Sequence, residues 1–216
     1  MVTAETFVAE LDVKNRASID RLIGTLTGGI AKESFEVADI LRLVLKGSIE
    51  AAEVAALWLA DCDDLEMKLL LAEQCGDGAK HYRLIAARLE ALGAAAGYDP
   101  RHGGYSKVFA FQRSLQTSEE RSSAGHLTLK ALSLARLSAL AQFCDEKADA
   151  ESARLLREVL TVEERRYYEE GKRSLMVSAA AEESQARARR AAYRTLELSG
   201  EMYEPMQLRK ILLKRR

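Results

Sequence analysis

Apolar residues recur at intervals of three and four along four long segments of this chain, which is typical of helices that bury one face. Only two prolines, Pro100 and Pro205, occur in 216 residues, and both lie outside these segments. Because a proline inside a helix breaks it, each segment can be helical over most of its length. The pattern therefore predicts an all-α protein built from long helices.

The order of the segments predicts a four-helix bundle. Short links make neighbouring helices antiparallel, whereas the glycine-rich stretch 93–106 is long enough for a crossover between the second and third helix of the bundle. We expect an N-terminal helix at 4–26, closed by "TGG", and then helix A at 34–62. Helix B follows a tight turn and ends at about 93, helix C covers 107–147 with a break within 116–123, and helix D covers 150–199.

We expect a single domain over 1–216. Its core bundle covers about 34–198, the N-terminal helix within 1–30 packs outside it, and 200–216 forms a basic tail. With 32 Lys and Arg against 33 Asp and Glu, the formal charge is −1, which makes nucleic-acid binding an unfavoured function. No leader or membrane-spanning run of apolar residues stands out, and the three cysteines follow no disulfide or zinc-binding spacing, so we expect a cytoplasmic protein with no membrane contact.

An ionisable residue interrupts the inward apolar stripe of every bundle helix. Glu50 lies in the stripe of helix A, His81 in B, Lys130 in C, and Glu164 with Tyr167 in D. Buried charges are costly unless they are paired or bound to metal. A helix phase wrong by one residue would place any one of them in solvent, but the four helices together predict one polar site in the core.

At these residues the sequence resembles the ferritin-like superfamily of di-iron and di-manganese carboxylate proteins. The likeness depends on "GSIEAAEVAALW", "AEQCGDGAKHYRL" and "VLTVEERRYYEEG". In that family helices A and C each supply a Glu, and helices B and D each supply a Glu-x-x-His pair. The resemblance implies a ferritin-like bundle, a homodimer formed through helices A and B, and Glu50, His81 and Glu164 as surviving metal ligands.

Three positions depart from the family pattern. Gly78 and Lys130 stand where a Glu is expected, and Tyr167 stands where a His is expected. The resemblance therefore implies a relative of the di-iron oxidases and oxygenases whose two-metal site is incomplete. Gly78 looks like a position from which a ligand has been removed.

Two interpretations of the remaining residues concern metal. In the first, the Lys130 ammonium lies between Glu50 and Glu164 and replaces the charge of the metals, so that no cofactor is bound. In the second, Glu50, His81 and Glu164 hold a single, weakly bound iron or manganese ion. Tyr167 would then be a phenolate ligand or a redox-active neighbour.

A third interpretation needs no metal. A lysine buried among leucines can act as a base or nucleophile, so Lys130 and Tyr167 are candidate catalytic residues of an oxidoreductase that acts on a small organic substrate. The backbone at Gly78 leaves space for such a ligand.

Two further residues lie near the stripes. Asp77 lies about 100° away from the stripe of helix B and could reach the site only by leaning in. We expect His126 at the flank of the core, with its ring either hydrogen-bonded or exposed to solvent.

Overall fold

The computed structural model describes residues 2–33, 35–96 and 104–204, which are helical and contain no β-strand. The all-α class is therefore confirmed. None of the helices described is long and apolar enough to cross a membrane. The helices are α1 (Ala4–Glu33), α2 (Val37–Ala60), α3 (Leu65–Ala91), α4 (Lys107–Ser114), α5 (118–146), α6 (150–178) and α7 (Glu182–Tyr203).

Two of these helices change their hydrogen-bonding pattern along their length. Helix α5 contains a π-helical segment over Ser122–Leu129, and α6 contains one over Leu155–Leu160. Each π-helical segment inserts extra backbone relative to an α-helix and so rotates the residues that follow it. The predicted helices A, B, C and D correspond to α2, α3, α5 and α6.

Short capped turns join the helices into two hairpins. Between α2 and α3, the Asp64 carboxylate accepts a hydrogen bond from the Met67 backbone at 2.7 Å and caps α3. Between α5 and α6, the Asp149 carboxylate accepts from the Ser152 backbone at 2.9 Å and caps α6. Aspartate at an N-cap satisfies amide groups that the first helical turn leaves unpaired. Both links are short, as the sequence predicts.

The two hairpins pack against each other, α2 on α5 and α3 on α6, while α1 and α7 cover the second hairpin. The N-terminal helix α1 therefore contacts the second hairpin and α7. An apolar cluster fills much of the interior between the two hairpins, and its fully buried members include Ile40, Leu41, Leu45, Ile85, Leu89, Leu132, Leu140 and Leu156.

Two predicted helix ends are wrong. Helix α1 continues through Gly28 and Gly29 to Glu33, because the neighbouring Leu26 and Ile30 are buried and their packing outweighs the low helix propensity of glycine. Helix D ends at Ser178 rather than near 199.

The break after Ser178 has no glycine or proline to signal it. The Gln185 side chain donates to the Ala179 carbonyl at 3.1 Å and satisfies a group that the end of α6 leaves free. By their spacing Leu57 belongs to the inward apolar stripe of helix A and Leu92 to that of helix B, but the structure exposes both side chains. His102 and the tail 205–216 lie outside the described residues.

Candidate functional site

A cavity of about 100 Å³ lies inside the pair of hairpins and is bordered by α2, α3, α5 and α6, with α4 and α7 contributing to its wall. Every candidate site residue of the sequence analysis borders it. These residues are Glu50, Gly78, His81, Lys130, Glu164 and Tyr167. The inward stripes of the four helices therefore meet around one space.

Lys130 and Glu164 form a buried ion pair across this space. The Lys130 Nζ lies 2.7 Å from the Glu164 Oε1, and the two side chains are 5% and 13% exposed. Burial alone would raise the pKa of Glu164, but the Lys130 charge and its hydrogen bond lower it below its ordinary value. Within the described part of the chain Lys130 pairs with Glu164 and not with Glu50, so the structure contains one of the two contacts expected of Lys130.

Glu50 instead holds the beginning of α4. Its Oε1 accepts from the Ser106 backbone at 2.8 Å, and its Oε2 accepts from the Ser106 hydroxyl at 2.6 Å. The Ser106 hydroxyl oxygen in turn caps α4 by accepting from the Phe109 backbone at 3.0 Å. Burial raises the pKa of Glu50 although these bonds, together with Lys46, favour its charged form. The carboxylate thus fixes α4 to α2 after the long connection.

His81 meets a glutamate that the stripe analysis did not select. Its Nε2 contacts the carboxylate of Glu163, which also accepts from the Lys80 Nζ at 2.6 Å. Although partial burial opposes it, these two hydrogen bonds lower the pKa of Glu163. The sequence did offer a signal for Glu163, because two acidic residues are adjacent in "VEERRYY". In the structure Glu163 contacts His81 on α3 and Glu164 contacts Lys130 on α5.

Tyr167 is a buried phenol with a fixed acceptor. Its hydroxyl donates to the Asp77 carboxylate at 2.5 Å and accepts from the Arg166 guanidinium at 3.0 Å. Burial, and then the bond to Asp77, raises the pKa of Tyr167 well above its ordinary range. The Lys130 Nζ lies 5.1 Å from the centre of the ring, so the cation faces the aromatic surface. Asp77 therefore does lean in towards the site.

Gly78 has a structural explanation. A Cβ added to it would lie 2.7 Å from the Ala52 Cβ and 2.9 Å from the Ser48 carbonyl oxygen. Helices α2 and α3 approach closely at this point, and no side chain fits between them. Gly78 borders the cavity, but the volume that its side chain would take is already occupied by α2.

His126 is fully buried in the π-helical segment of α5, not at the flank of the core. Its Nε2 lies 3.2 Å from the Gln74 Oε1, whereas its Nδ1 has no partner within the described part of the chain. Burial lowers the pKa of His126 to about 3, so the ring is neutral at physiological pH. It packs on Gly171, where an added Cβ would collide with the His126 Cβ.

Sequence reasoning missed several polar residues of the cavity wall, including Lys46, Ser106 and Ser133 and two whose buried donors have no partner among the described residues. Gln112 on α4 and Arg136 on α5 both border the cavity. The Gln112 Nε2 and the Arg136 Nε are buried and have no hydrogen-bond partner among the described residues. Neither residue lies in the inward apolar stripe of its helix, so the periodicity of the sequence did not select them as core residues.

The donor set does not fit a centre of two metal ions. Within 2–33, 35–96 and 104–204, no three His, Cys, Asp or Glu side chains form a group that could hold a metal ion. Glu50, His81 and Glu164 are each engaged by a different protein partner. A lysine ammonium also lies among them, and a cation of the protein repels a metal ion.

Comparison with known proteins finds no matching family model, curated protein or solved structure. What this protein does must therefore be inferred from the cavity and the side chains that border it.

Proposed function

We propose that this protein is a metal-independent member of the ferritin-like superfamily whose interior cavity binds a small molecule. The observation that carries the proposal is the ion pair between Lys130 and Glu164, with an Nζ to Oε1 distance of 2.7 Å. In the carboxylate proteins of that superfamily, glutamates on facing helices ligate two metal ions. Here an ammonium group supplies the positive charge that Glu164 needs.

The remaining polar groups support the same conclusion. His81 is engaged by Glu163, and Glu50 is engaged by Ser106, so neither side chain is free to hold a metal ion without losing a partner. The cavity that remains is bordered by apolar side chains with a few polar groups among them. Small-molecule sites in proteins have this composition.

A single metal ion held by Glu50, His81 and Glu164, with Lys130 and Tyr167 as reactive groups, is the second candidate. It is favoured by the fact that all five residues border one cavity. It requires each of the three ligands to leave its present partner. Lys130 is a poor nucleophile in this arrangement because its ammonium donates to a carboxylate and has no free electron pair. We therefore rank this candidate second.

Elemental analysis tests the proposal directly. The full chain is produced in medium supplied with iron and manganese, freed of any tag, and compared with the Glu164→Ala variant. We expect both proteins to contain only trace metal. Equilibrium dialysis of each protein against Fe(II) under anaerobic conditions, and against Mn(II), should likewise find no saturable site.

Near-stoichiometric metal in the wild type that is lost in Glu164→Ala would overturn the proposal and support the single-metal candidate. The Arg83→Gln variant serves as a folding and handling control, because Arg83 is exposed on α3 and does not border the cavity.

A further inference from the structure

One guanidinium group in the cavity wall lacks an anionic partner. Arg136 forms no ion pair with a carboxylate in the part of the chain that the structure describes, and its Nε is buried without a hydrogen-bond partner. The cavity's own carboxylates are engaged elsewhere, Glu50 by Ser106, Asp77 by Tyr167 and Glu164 by Lys130. The cavity wall therefore contains a positive charge with no partner of its own.

Two helices hold this guanidinium in place. The Arg136 terminal nitrogens lie 3.4 and 3.9 Å from the position that a Cβ of Gly47 would occupy. These are ordinary van der Waals distances, so the guanidinium of this α5 residue lies beside α2 at Gly47.

A second buried donor faces the same cavity. Gln112 is 3% exposed, and its backbone carbonyl accepts from the Trp58 indole at 3.2 Å, which ties α4 to α2. Its side-chain Nε2 is buried and has no acceptor among the residues that the structure describes. Buried donors are normally hydrogen-bonded, so Gln112 and Arg136 are suited to bind a group that carries acceptor oxygens.

The rest of the wall limits what that group can be. Leu43, Leu132 and Leu137 give the cavity an apolar surface. Of the three cations in the wall, Lys46 lies near Glu50 and Lys130 pairs with Glu164, so Arg136 alone lacks a carboxylate among the described residues and matches a ligand with one negative charge. A volume of about 100 Å³ admits only a few heavy atoms, since a cavity of about 150 Å³ in another protein holds benzene. The walls therefore suit a short apolar body with a single negative charge.

We propose that the cavity binds a small organic monocarboxylate, with its carboxylate at Arg136, an oxygen accepting from Gln112 and its apolar body against the leucines. A planar guanidinium matches a carboxylate in geometry and charge. This inference rests on the proposed function, because the cavity must be free of metal for the ligand to enter it.

Isothermal titration calorimetry of the full chain, dialysed against EDTA, tests the inference with three probes. Sodium butyrate carries both a carboxylate and an apolar body, inorganic phosphate carries only the charge, and 1-butanol carries only the apolar body. We expect one saturable site for butyrate and weaker binding of the other two. In Arg136→Gln and Gln112→Leu, butyrate binding should weaken about tenfold or more, as the loss of a charge-assisted hydrogen bond predicts. In Arg83→Gln it should be unchanged.

A second measurement separates loss of the ligand site from loss of the fold. Without ligand, Arg136→Met should unfold at a temperature close to that of the wild type, because Arg136 is half-buried and has no ion pair to lose among the described residues. Butyrate should raise the midpoint of the wild type and leave that of Arg136→Met unchanged.

Three outcomes would overturn the inference: no saturable butyrate site, equal binding by wild type and Arg136→Gln, or tighter binding of phosphate than of butyrate. These outcomes leave the metal-independent proposal standing if elemental analysis finds only trace metal. Stoichiometric metal in the wild type would instead overturn the proposed function itself.

Discussion

Lys130 on α5 and Glu164 on α6 form a buried ion pair whose charged atoms, Nζ and Oε1, lie 2.7 Å apart. The pair sits beside the aromatic ring of Tyr167, and the Lys130 Nζ is 5.1 Å from the ring centre. Both charges have left water, so each depends on the other for compensation. The effects of substituting the two residues on the free energy of unfolding are therefore not additive.

Replacing one member of the pair should therefore cost much more than replacing both. We expect Lys130→Met to lower the free energy of unfolding by about 3–5 kcal/mol, because it leaves the largely buried Glu164 carboxylate without its cation and with only the Ser133 hydrogen bond. The double variant Lys130→Met, Glu164→Leu should recover most of this loss. Urea denaturation followed by circular dichroism measures both quantities.

The exposed pair Arg157–Asp145 provides the matched control, with side chains 52% and 48% exposed. Arg157→Met should change stability by about 0.5 kcal/mol or less. A double variant as unstable as Lys130→Met alone would contradict the interdependence of the buried pair.

Two glycines of α3 should respond oppositely to the same substitution. Gly78→Ala should destabilise the protein by about 1–3 kcal/mol, because its Cβ would meet the Ala52 Cβ and the Ser48 carbonyl and would force α2 and α3 apart. Gly76 is exposed and has no atom within 4 Å of an added Cβ, so Gly76→Ala should stabilise by about 0.5–1 kcal/mol. Thermal unfolding of both variants checks this, and a stabilised Gly78→Ala would refute the close helix approach.

His126 should make stability depend on pH between about 6.5 and 3, a window that begins above the range in which carboxylates titrate and overlaps it. Its pKa falls from 6.5 to about 3 on folding, so between these values the unfolded chain binds more protons than the native one. Stability contributed by the neutral ring is therefore complete above pH 6.5 and is lost as the pH falls through this window, by about 1 kcal/mol per pH unit.

Urea denaturation of the wild type and of His126→Gln at pH 7, 6, 5 and 4 measures this contribution. Subtracting the two curves removes titrations that they share, including the opposite effect of Glu50, whose pKa is raised. The stability difference between the two proteins should shrink as the pH falls. Parallel curves would show that His126 titrates normally.

Ala148, in the turn between α5 and α6, adopts a positive φ of 58°. A left-handed conformation costs a residue with a side chain about 1–2 kcal/mol, so Ala148→Gly should stabilise the protein by up to about that amount. The matched control is Ala150→Gly at the beginning of α6, where glycine should destabilise by up to about 1 kcal/mol. Thermal unfolding of both variants tests the prediction, and a destabilised Ala148→Gly would contradict it.

The sequence by itself determined the helical class, the short links and most of the buried faces. Leu71, Ile85 and Leu160 are buried as their spacing predicts, and the ionisable residues of the stripes border one cavity. Periodicity reports these features because the side of a helix on which a residue lies depends only on its position along the chain.

Only the tertiary structure decided which polar groups meet. His81 contacts Glu163 rather than Glu164. Glu50 on α2 accepts hydrogen bonds from Ser106, which stands at the end of the long connection that precedes α4. Partner choice depends on the rotation and the spacing of neighbouring helices. The π-helical segments set the rotation, and close contacts at glycines such as Gly78 set the spacing. These are properties of packed helix pairs, so the pattern of any one helix does not contain them.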